Sequence, residues 1–347
     1  VQKRSSIDTA LWISKRKEYT TKASCFMSLI DEYPSLLSKN VGDFEFMRIF
    51  RDGDECLNLY FHLKFEGRKC VKCSRLVTEN YSRIKARNAK GFRCKSCHTV
   101  IYPLADTIFR GSPLGVNTLF LLIYSLSNPT SSTSAVSLEH KVGVTRKHAH
   151  RISMSIRKLL LRPITAKMSG SIEIDECFLG KGSKVWNWGS ISTRKQPIIG
   201  MICRETKEAR LFLVKDRKAG TIYKLVKDNV LEGSTIYTDG WRGYLALGQY
   251  YQHFSVDHSS REFVRGDVHT SNIDSLWGRI KRNLRKEHIK ITAKYVQLYV
   301  NEACFRNNSR GKKRMAVFDE ILRLTFFRVP VNKFLVRNSG DGSLPNS

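Results

Sequence analysis

The apolar and polar positions of this chain follow two periods, and the point where one gives way to the other organises the reading. From residue 171 the pattern alternates. In SIEIDECFL, Ile172, Ile174 and Phe178 share one face while Glu173, Asp175 and Cys177 share the other, the signature of a β-strand. Two more strands are expected over 197–204 and 209–215, then a helix over about 219–230. A fourth strand is expected over 234–238, ending at Asp239 beside a glycine turn, and a further one over about 253–257. In HTSNIDSLWGRIKR the period becomes helical. Ile273, Leu276, Trp277, Ile280 and Leu284 recur at steps of three and four, and Asp274, Gly278, Lys281 and Arg285 fall on a neighbouring face. Ser271 with Asp274 reads as a capping box opening that helix.

Upstream of residue 166 the pattern is mostly helical. Segments 114–126, 133–141 and 146–161 read as three helices, with a tight turn at VGVT, Thr145 capping the third and Pro163 ending it. In the third, Ala149, Ile152, Ile156 and Leu159 are expected inward, and Arg146, Lys147, His150, Arg151 and Lys158 outward. This is the order of a helix-turn-helix whose last helix enters a major groove, and equally that of a plain three-helix bundle. Short apolar pieces at 25–30, 44–50 and 57–65 read as an irregular helical lead-in. Packed helices are expected over 291–305 and 315–326, and 339–347 reads as a disordered tail.

Charge narrows the partner. Sixty Lys and Arg against thirty-one Asp and Glu leave +29, which calls for a polyanion, nucleic acid first. No apolar run reaches the length of a membrane span, and the first residues lack an apolar signal region, so neither a membrane partner nor secretion is expected.

Four of the nine cysteines form a pattern: Cys70 and Cys73, twenty intervening residues, then Cys94 and Cys97. Two C-x2-C knuckles at this separation let four thiolates converge on structural Zn²⁺; four buried thiols are the alternative. Arg75, Arg83, Lys85, Arg87 and Lys90 in the intervening loop could also touch phosphates. Cys25, Cys56, Cys177, Cys203 and Cys304 are scattered and read as small buried residues rather than disulfides.

Asp274, a lone acid among bases, has two readings: a first-turn acid that caps its helix, or a metal-binding carboxylate beside a phosphate-binding Lys. The order of elements bears on the choice. Three strands, a helix, two strands and a helix is the order of the ribonuclease H-like fold, in which the first strand is central and the fourth lies beside it. An acid midway along the first strand then meets one at the end of the fourth, and an acid opening the later helix completes the site. Asp175, Asp239 and Asp274 hold those places. Such a set holds two divalent ions, and oxygen-only ligands favour Mg²⁺ or Mn²⁺. Glu173 shares the face of Asp175 and Glu176 adjoins it, but neither is expected beside Asp239. Asp257 and Asp267 read as solvated loop acids, and His258 and His269 as turn or capping residues, with His269 also within possible reach of a phosphate.

The segments IEIDECFLGKG, LVKDRKAGTI, GSTIYTDGWRGY, FSVDHS and HTSNIDSLWGRIKR, in that order, resemble the catalytic domain of Merlin-superfamily DNA transposases and related bacterial insertion-sequence transposases. The resemblance extends upstream through TIFRGSPL and the cysteine knuckles, covering about residues 44–308. It implies a cut-and-paste, Mg²⁺-dependent transposase that binds terminal inverted repeats, cleaves the element's ends and joins 3′-hydroxyls to target DNA. It implies Asp175, Asp239 and Asp274 as metal ligands and Lys281 as the Lys following the third acid. Lys281 and Arg285 would then neutralise the strand. Family members commonly carry Glu where this chain has Asp274, one methylene longer. A homodimer or higher oligomer, needed to pair two ends, and a nuclear location (cytoplasmic for a bacterial host) are implied likewise.

The expected fold is multidomain α+β: lead-in 1–65, zinc ribbon 66–111, helix-turn-helix 112–165, an α/β ribonuclease H-like catalytic domain with a mixed sheet over 166–310, a helical extension 311–338 and the tail 339–347. A non-catalytic DNA-binding protein descended from a transposase is the competing reading. A ribonuclease or junction-resolving nuclease would explain the acids but not the upstream module.

Overall fold

The computed structural model describes residues 28–84, 90–160, 166–178, 197–257, 262, 264–287, 291 and 295–326. The expectations for Cys25, Lys85, Arg87, Pro163, His258 and the tail lie outside these residues, as does the lead-in before residue 28.

Three helices come first: α1 (Leu29–Leu36), α2 (Asp43–Ile49) and α3 (Gly53–Phe65). Each of α1 and α3 is opened by a side chain, Ser28 in a reciprocal capping box with Asp31 and Asp52 through its carboxylate. A helical turn, α4 (Val77–Asn80), leads into the antiparallel sheet β1 (Tyr81–Arg83), β2 (Phe92–Cys94) and β3 (Val100–Ile101). Phe92 of β2 stacks on Phe61 of α3 at 3.9 Å, and Lys64 donates to the Pro103 carbonyl at 2.6 Å, seating the sheet on α3.

Next come α5 (Val116–Leu126), α6 (Ala135–Val142) and α7 (Arg146–Leu159). Gly143 adopts φ +71° to end α6, the left-handed conformation that a glycine accepts without Cβ strain. Ala149, Ile152, Ile156 and Leu159 are buried and Arg146, Lys147, His150, Arg151 and Lys158 exposed, as their spacing predicts. Thr145 occupies the N-cap position of α7 without a side-chain bond to the backbone; its hydroxyl meets His148 instead, at 3.3 Å. One hydrophobic cluster runs through α1, α2, α3, the small sheet, α5, α7 and the late helix spanning Arg314–Leu324.

The second half is built on β4 (Ser171–Phe178), β5 (Pro197–Cys203), β6 (Ala209–Leu213), α8 (Ala219–Asn229), β7 (Thr235–Asp239) and β8 (Gln252–Val256). The sheet order is β6-β5-β4-β7-β8, with β4 central, β7 beside it in parallel, and β5 and β6 antiparallel. A 3-10 helix over Arg242–Gln249 follows β7, and a small hairpin, β9 (Val264–Arg265) and β10 (Val268–His269), precedes α9 (Ser271–Glu287). Two helices close the described chain, α10 (Val296–Asn308) and α11 (Arg314–Leu324). Strand β5 is buried at every position because both faces of the sheet are covered. On one face Ile273, Leu276, Trp277, Ile280 and Leu284 of α9 pack with α10; on the other Ile172, Ile174 and Ile236 meet Ile222 and Val226 of α8.

The two halves are joined by a buried ionic network. Arg157 of α7, 2% exposed, donates to Glu302 of α10 at 2.7 Å, and Arg306 takes the other Glu302 oxygen at 2.7 Å. The remaining donors are used as well. Arg157 binds the Thr133 carbonyl, Arg306 the carbonyls of Leu126 and Asn128, and Ser132 the Glu302 carboxylate. A buried ion pair is tolerated only when its other lone pairs and protons are satisfied, and here they are. Burial works against the Glu302 charge, but the two guanidiniums hold its carboxyl down to about 2.

Candidate metal centres and helix-borne site

The four cysteine sulfurs lie within 4.8 Å of one another, Cys70 to Cys97 and Cys73 to Cys94 each at 3.6 Å. A tetrahedron with Zn–S arms of ~2.3 Å has edges of about 3.8 Å, so the cluster is metal-sized. Both knuckles close alike. The residue after each second cysteine, Ser74 and His98, takes positive φ (59° and 60°) and donates its N–H to the first cysteine's carbonyl. The Tyr81 hydroxyl and the backbone N–H groups of its own knuckle bring the Cys70 thiol down to about 6. The Arg75 N–H favours a Cys73 thiolate, yet burial and the neighbouring sulfurs push that thiol up to about 11. Four sulfurs cannot all ionise against one another without a cation, and the geometry suits Zn²⁺. Of the loop bases, Arg83 is held by Asp54 at 2.6 Å and Lys90 by the Ser112 and Leu114 carbonyls, so both are engaged within the protein.

The acids assemble where β4 and β7 part. The two strands pair from Ser171↔Thr235 to Glu173↔Tyr237, and extending that offset sets Asp175 level with Asp239 just past the last pair. Beyond the pairing a crevice opens at the carboxyl ends of two parallel strands. Among the described residues, the carboxylates whose oxygens gather within 4.8 Å there are Asp175, Glu176 and Asp239.

Glu176 corrects the sequence reading. Strict alternation points it away from Asp175, and its backbone is still paired with Ile199 of β5. The Tyr244 hydroxyl (2.7 Å) and Arg217 (2.6 Å) donate to the Glu176 carboxylate and hold it at the crevice. The adjacent Asp-Glu pair was the available signal. Asp274 stands outside the 4.8 Å group, exposed on the first turn of α9, although its charge bears on Asp175. Lys281, two turns further on, adjoins Cys177 and counters part of the burial effect that raises that thiol. Arg285 is exposed in the last turn.

The capping box is also corrected. The first helical bond of α9 runs from Asp274 N–H to the Thr270 carbonyl, so Thr270, not Ser271, holds the N-cap position. The orphan N–H groups of Asn272 and Ile273 go to the buried Glu173 carboxylate, at 2.9 and 3.0 Å. Thr270 Oγ1, released from capping, donates to Asp274 at 3.1 Å, and Ser271 Oγ meets His269 at 2.8 Å. Glu173 is itself paired with Arg204 at 2.8 Å. His269 Nδ1 lies 3.5 Å from Glu173, which places it at the helix entry.

Trp277 carries α9's geometry to the centre of the site. Its indole N–H donates to Asp175 at 2.8 Å. Gly200, the β5 partner of Asp175, makes this possible, because a Cβ there would stand 2.6 Å from the indole ring. Burial and then the Glu176 charge, with smaller contributions from Asp239 and Asp274, push the Asp175 carboxyl from 3.8 up to about 7. Concentrated carboxylate oxygens are the donor chemistry of Mg²⁺ or Mn²⁺.

Two predictions follow from these geometries. As isolated, the protein should carry one zinc per chain by elemental analysis, and stripping it should lower the melting temperature, because Cys70 and Cys94 lie in the main core. An unchanged melting temperature after chelation, with no zinc found, contradicts the centre. The Asp175 proton is held more tightly folded than unfolded. Its stabilising contribution is therefore present below 3.8 and lost as pH rises through about 7. Asp175→Asn should raise the melting temperature of the Mg²⁺-free protein at pH 8 by roughly 2–5 °C and by less than half as much at pH 5. An equal shift at both pH values would contradict the raised carboxyl.

Residues 167–308, the segment holding all four acids, match the ISXO2-like transposase domain family. The chain is 26% identical over 200 residues to an uncharacterised protein in transposable element ISH50 of Halobacterium salinarum, covering 53% of this chain and 67% of that one. It is also 26% identical over 113 residues to an uncharacterised transposase-like protein of Haemophilus influenzae, covering 32% of this chain and 90% of that one. The domain match and both relatives support an insertion-sequence transposase family for this chain.

Proposed function

We propose that this protein is a cut-and-paste DNA transposase of Merlin-like type, its second half a ribonuclease H-like catalytic domain. In this reading it binds terminal inverted repeats through α7, cleaves the element's ends and joins the freed 3′-hydroxyls to target DNA. The observation that carries it is the convergence of Asp175, Glu176 and Asp239 at the open ends of β4 and β7, inside the segment that matches a transposase domain. Asp175, Asp239 and Asp274 would hold two Mg²⁺ or Mn²⁺ ions, with Glu176 as a fourth carboxylate at hand. Bound there, such ions activate the attacking oxygen and stabilise the leaving one.

The chain's own residues have separable tasks. Trp277 orients Asp175 through the indole N–H. Tyr244 and Arg217 fix the position of the Glu176 side chain. Lys281 and Arg285 stand about two and three turns beyond Asp274 on α9, where they would neutralise the scissile strand. Arg146, Lys147, His150, Arg151 and Lys158 supply the exposed face of α7 for backbone and base contacts. Pairing two ends calls for a homodimer or higher oligomer, and the reading includes a nuclear location in a nucleated host.

A second reading has one observation in its favour. Asp274 lies outside the close carboxylate group and is a methylene shorter than Glu, which suits a DNA-binding protein whose metal site is idle. The discriminating experiment incubates the full chain with DNA carrying the inverted repeats that flank its gene, in Mg²⁺ or Mn²⁺. Nicking at the repeat boundary is expected, reduced to background by Asp175→Ala or Asp239→Ala and preserved or raised by Asp274→Glu. Tight repeat binding with no nicking in either metal would select the binding protein instead.

A further inference from the structure

Helix α9 has a third face that the carboxylate site does not use. Asn272, Ser275, Arg279, Arg282 and Lys286 recur at steps of three and four, on a stripe separate from Asp274 and Lys281 and from the buried apolar stripe. This stripe looks onto two adjoining clefts of about 200 and about 1000 Å³. Arg279, Asn307 and Arg310 line both, Arg282 the smaller and Lys207 the larger.

The cations there are gathered and not neutralised. Among the described residues no carboxylate pairs with Arg279, Arg282 or Arg310. The two acids lining the clefts are engaged elsewhere: Glu302 by Arg157 and Arg306, Glu208 by Arg210. Arg279 is fixed by a 3.1 Å bond to Asn307. Burial, and then the charges of Arg310 and Arg282, weaken its hold on its proton. Lys207 is built into the same wall. At the turn between β5 and β6 it takes a positive φ of 59°, unusual for a side chain with a Cβ. Its ammonium donates to Asn272 at 3.0 Å and its carbonyl accepts from Asn307 at 3.2 Å. Like charges gathered along one wall raise the free energy of the protein until an anion joins them.

We propose that Arg279, Arg282 and Arg310, with Lys207, form a phosphodiester-binding cleft that grips duplex DNA beside the strand lying over the carboxylates. Guanidinium forks match phosphate oxygens in pairs and carry no base code of their own, so the grip is on backbone rather than sequence. Asp274 and Arg282 are eight residues apart on α9, about 12 Å of helix, close to the ~12 Å width of a DNA major groove. One duplex can therefore bring a strand to each face of the same helix. This inference rests on the reading that the carboxylate site acts on DNA.

The test is equilibrium binding of the zinc-loaded protein to a short duplex lacking any repeat sequence, without added Mg²⁺ or Mn²⁺, across a salt series. Each phosphate contact contributes about 0.9 to the slope of log affinity against log salt. Arg279→Gln/Arg282→Gln/Arg310→Gln should lower that slope by about 2.7, so that between 50 and 200 mM salt the wild type loses about 40-fold more affinity than the variant. Arg310→Glu, at an exposed turn position, should lower the slope by at least one without moving the melting temperature. If the wild type binds duplex and both variants keep its slope, the cleft is overturned and the transposase reading stands. If the wild type binds no duplex at all, that reading fails first. Should inorganic phosphate stabilise the wild type but not the triple variant, with the duplex slope unchanged, the cleft takes a small anion and the duplex proposal is overturned.

Discussion

Glu173 sits at the centre of the sheet, fully buried, and every lone pair it offers is used. Two backbone N–H groups of α9, the Asn272 amide and the Arg204 guanidinium all donate to it. An isolated carboxylate there would cost several kcal/mol. The positive end of a helix and a cation within 3 Å turn that cost into a directional bond. The consequence is positional. Strand β4 carries Glu173 and Asp175 on one face, so docking the start of α9 on the first of them sets the helix's rotation. That rotation places Trp277 against Asp175 and Asp274 at the mouth of the crevice. A helix pinned two residues away from the site it completes leaves little freedom in where its own acid can stand.

The second constraint acts at longer range. Glu302 receives Arg157 from α7 and Arg306 from its own helix, while Arg306 also clamps the carbonyls between α5 and α6. The basic face of α7 and the packing partner of α9 are thus parts of one rigid joint. A nucleic acid held on α7 would have a fixed direction relative to the carboxylates, which a protein that cuts at a set distance from its binding sequence requires.

Much of this was legible in the residue pattern, and the failures share a cause. Where burial imposes a period the reading holds: all five apolar residues of α9 are buried, β4 is central with β7 beside it, and Asp175 is level with Asp239. The cysteine knuckles were legible because four ligands to one ion need a fixed spacing. What escaped depends on partners remote in sequence. Glu173 displaced Ser271 as the cap of α9 from about a hundred residues away. Glu176 joins the acids because Tyr244 and Arg217, both remote in sequence, hold its carboxylate there. Gly200 reads as a weak spot in a strand until the indole packed on it is known. Arg157 and Glu302 look like surface charges of two helices, and only their 145-residue pairing explains why both are buried.

The central claim is that the carboxylates at the ends of β4 and β7 form a divalent-cation site docked under α9. Anomalous X-ray diffraction from crystals of the full chain grown with Mn²⁺ tests it most directly. The account predicts manganese bound between Asp175 and Asp239, with Glu176 or Asp274 completing the ligands and Glu173 still seated on the first turn of α9. Ordered manganese elsewhere on the protein, with none between Asp175 and Asp239, would contradict it.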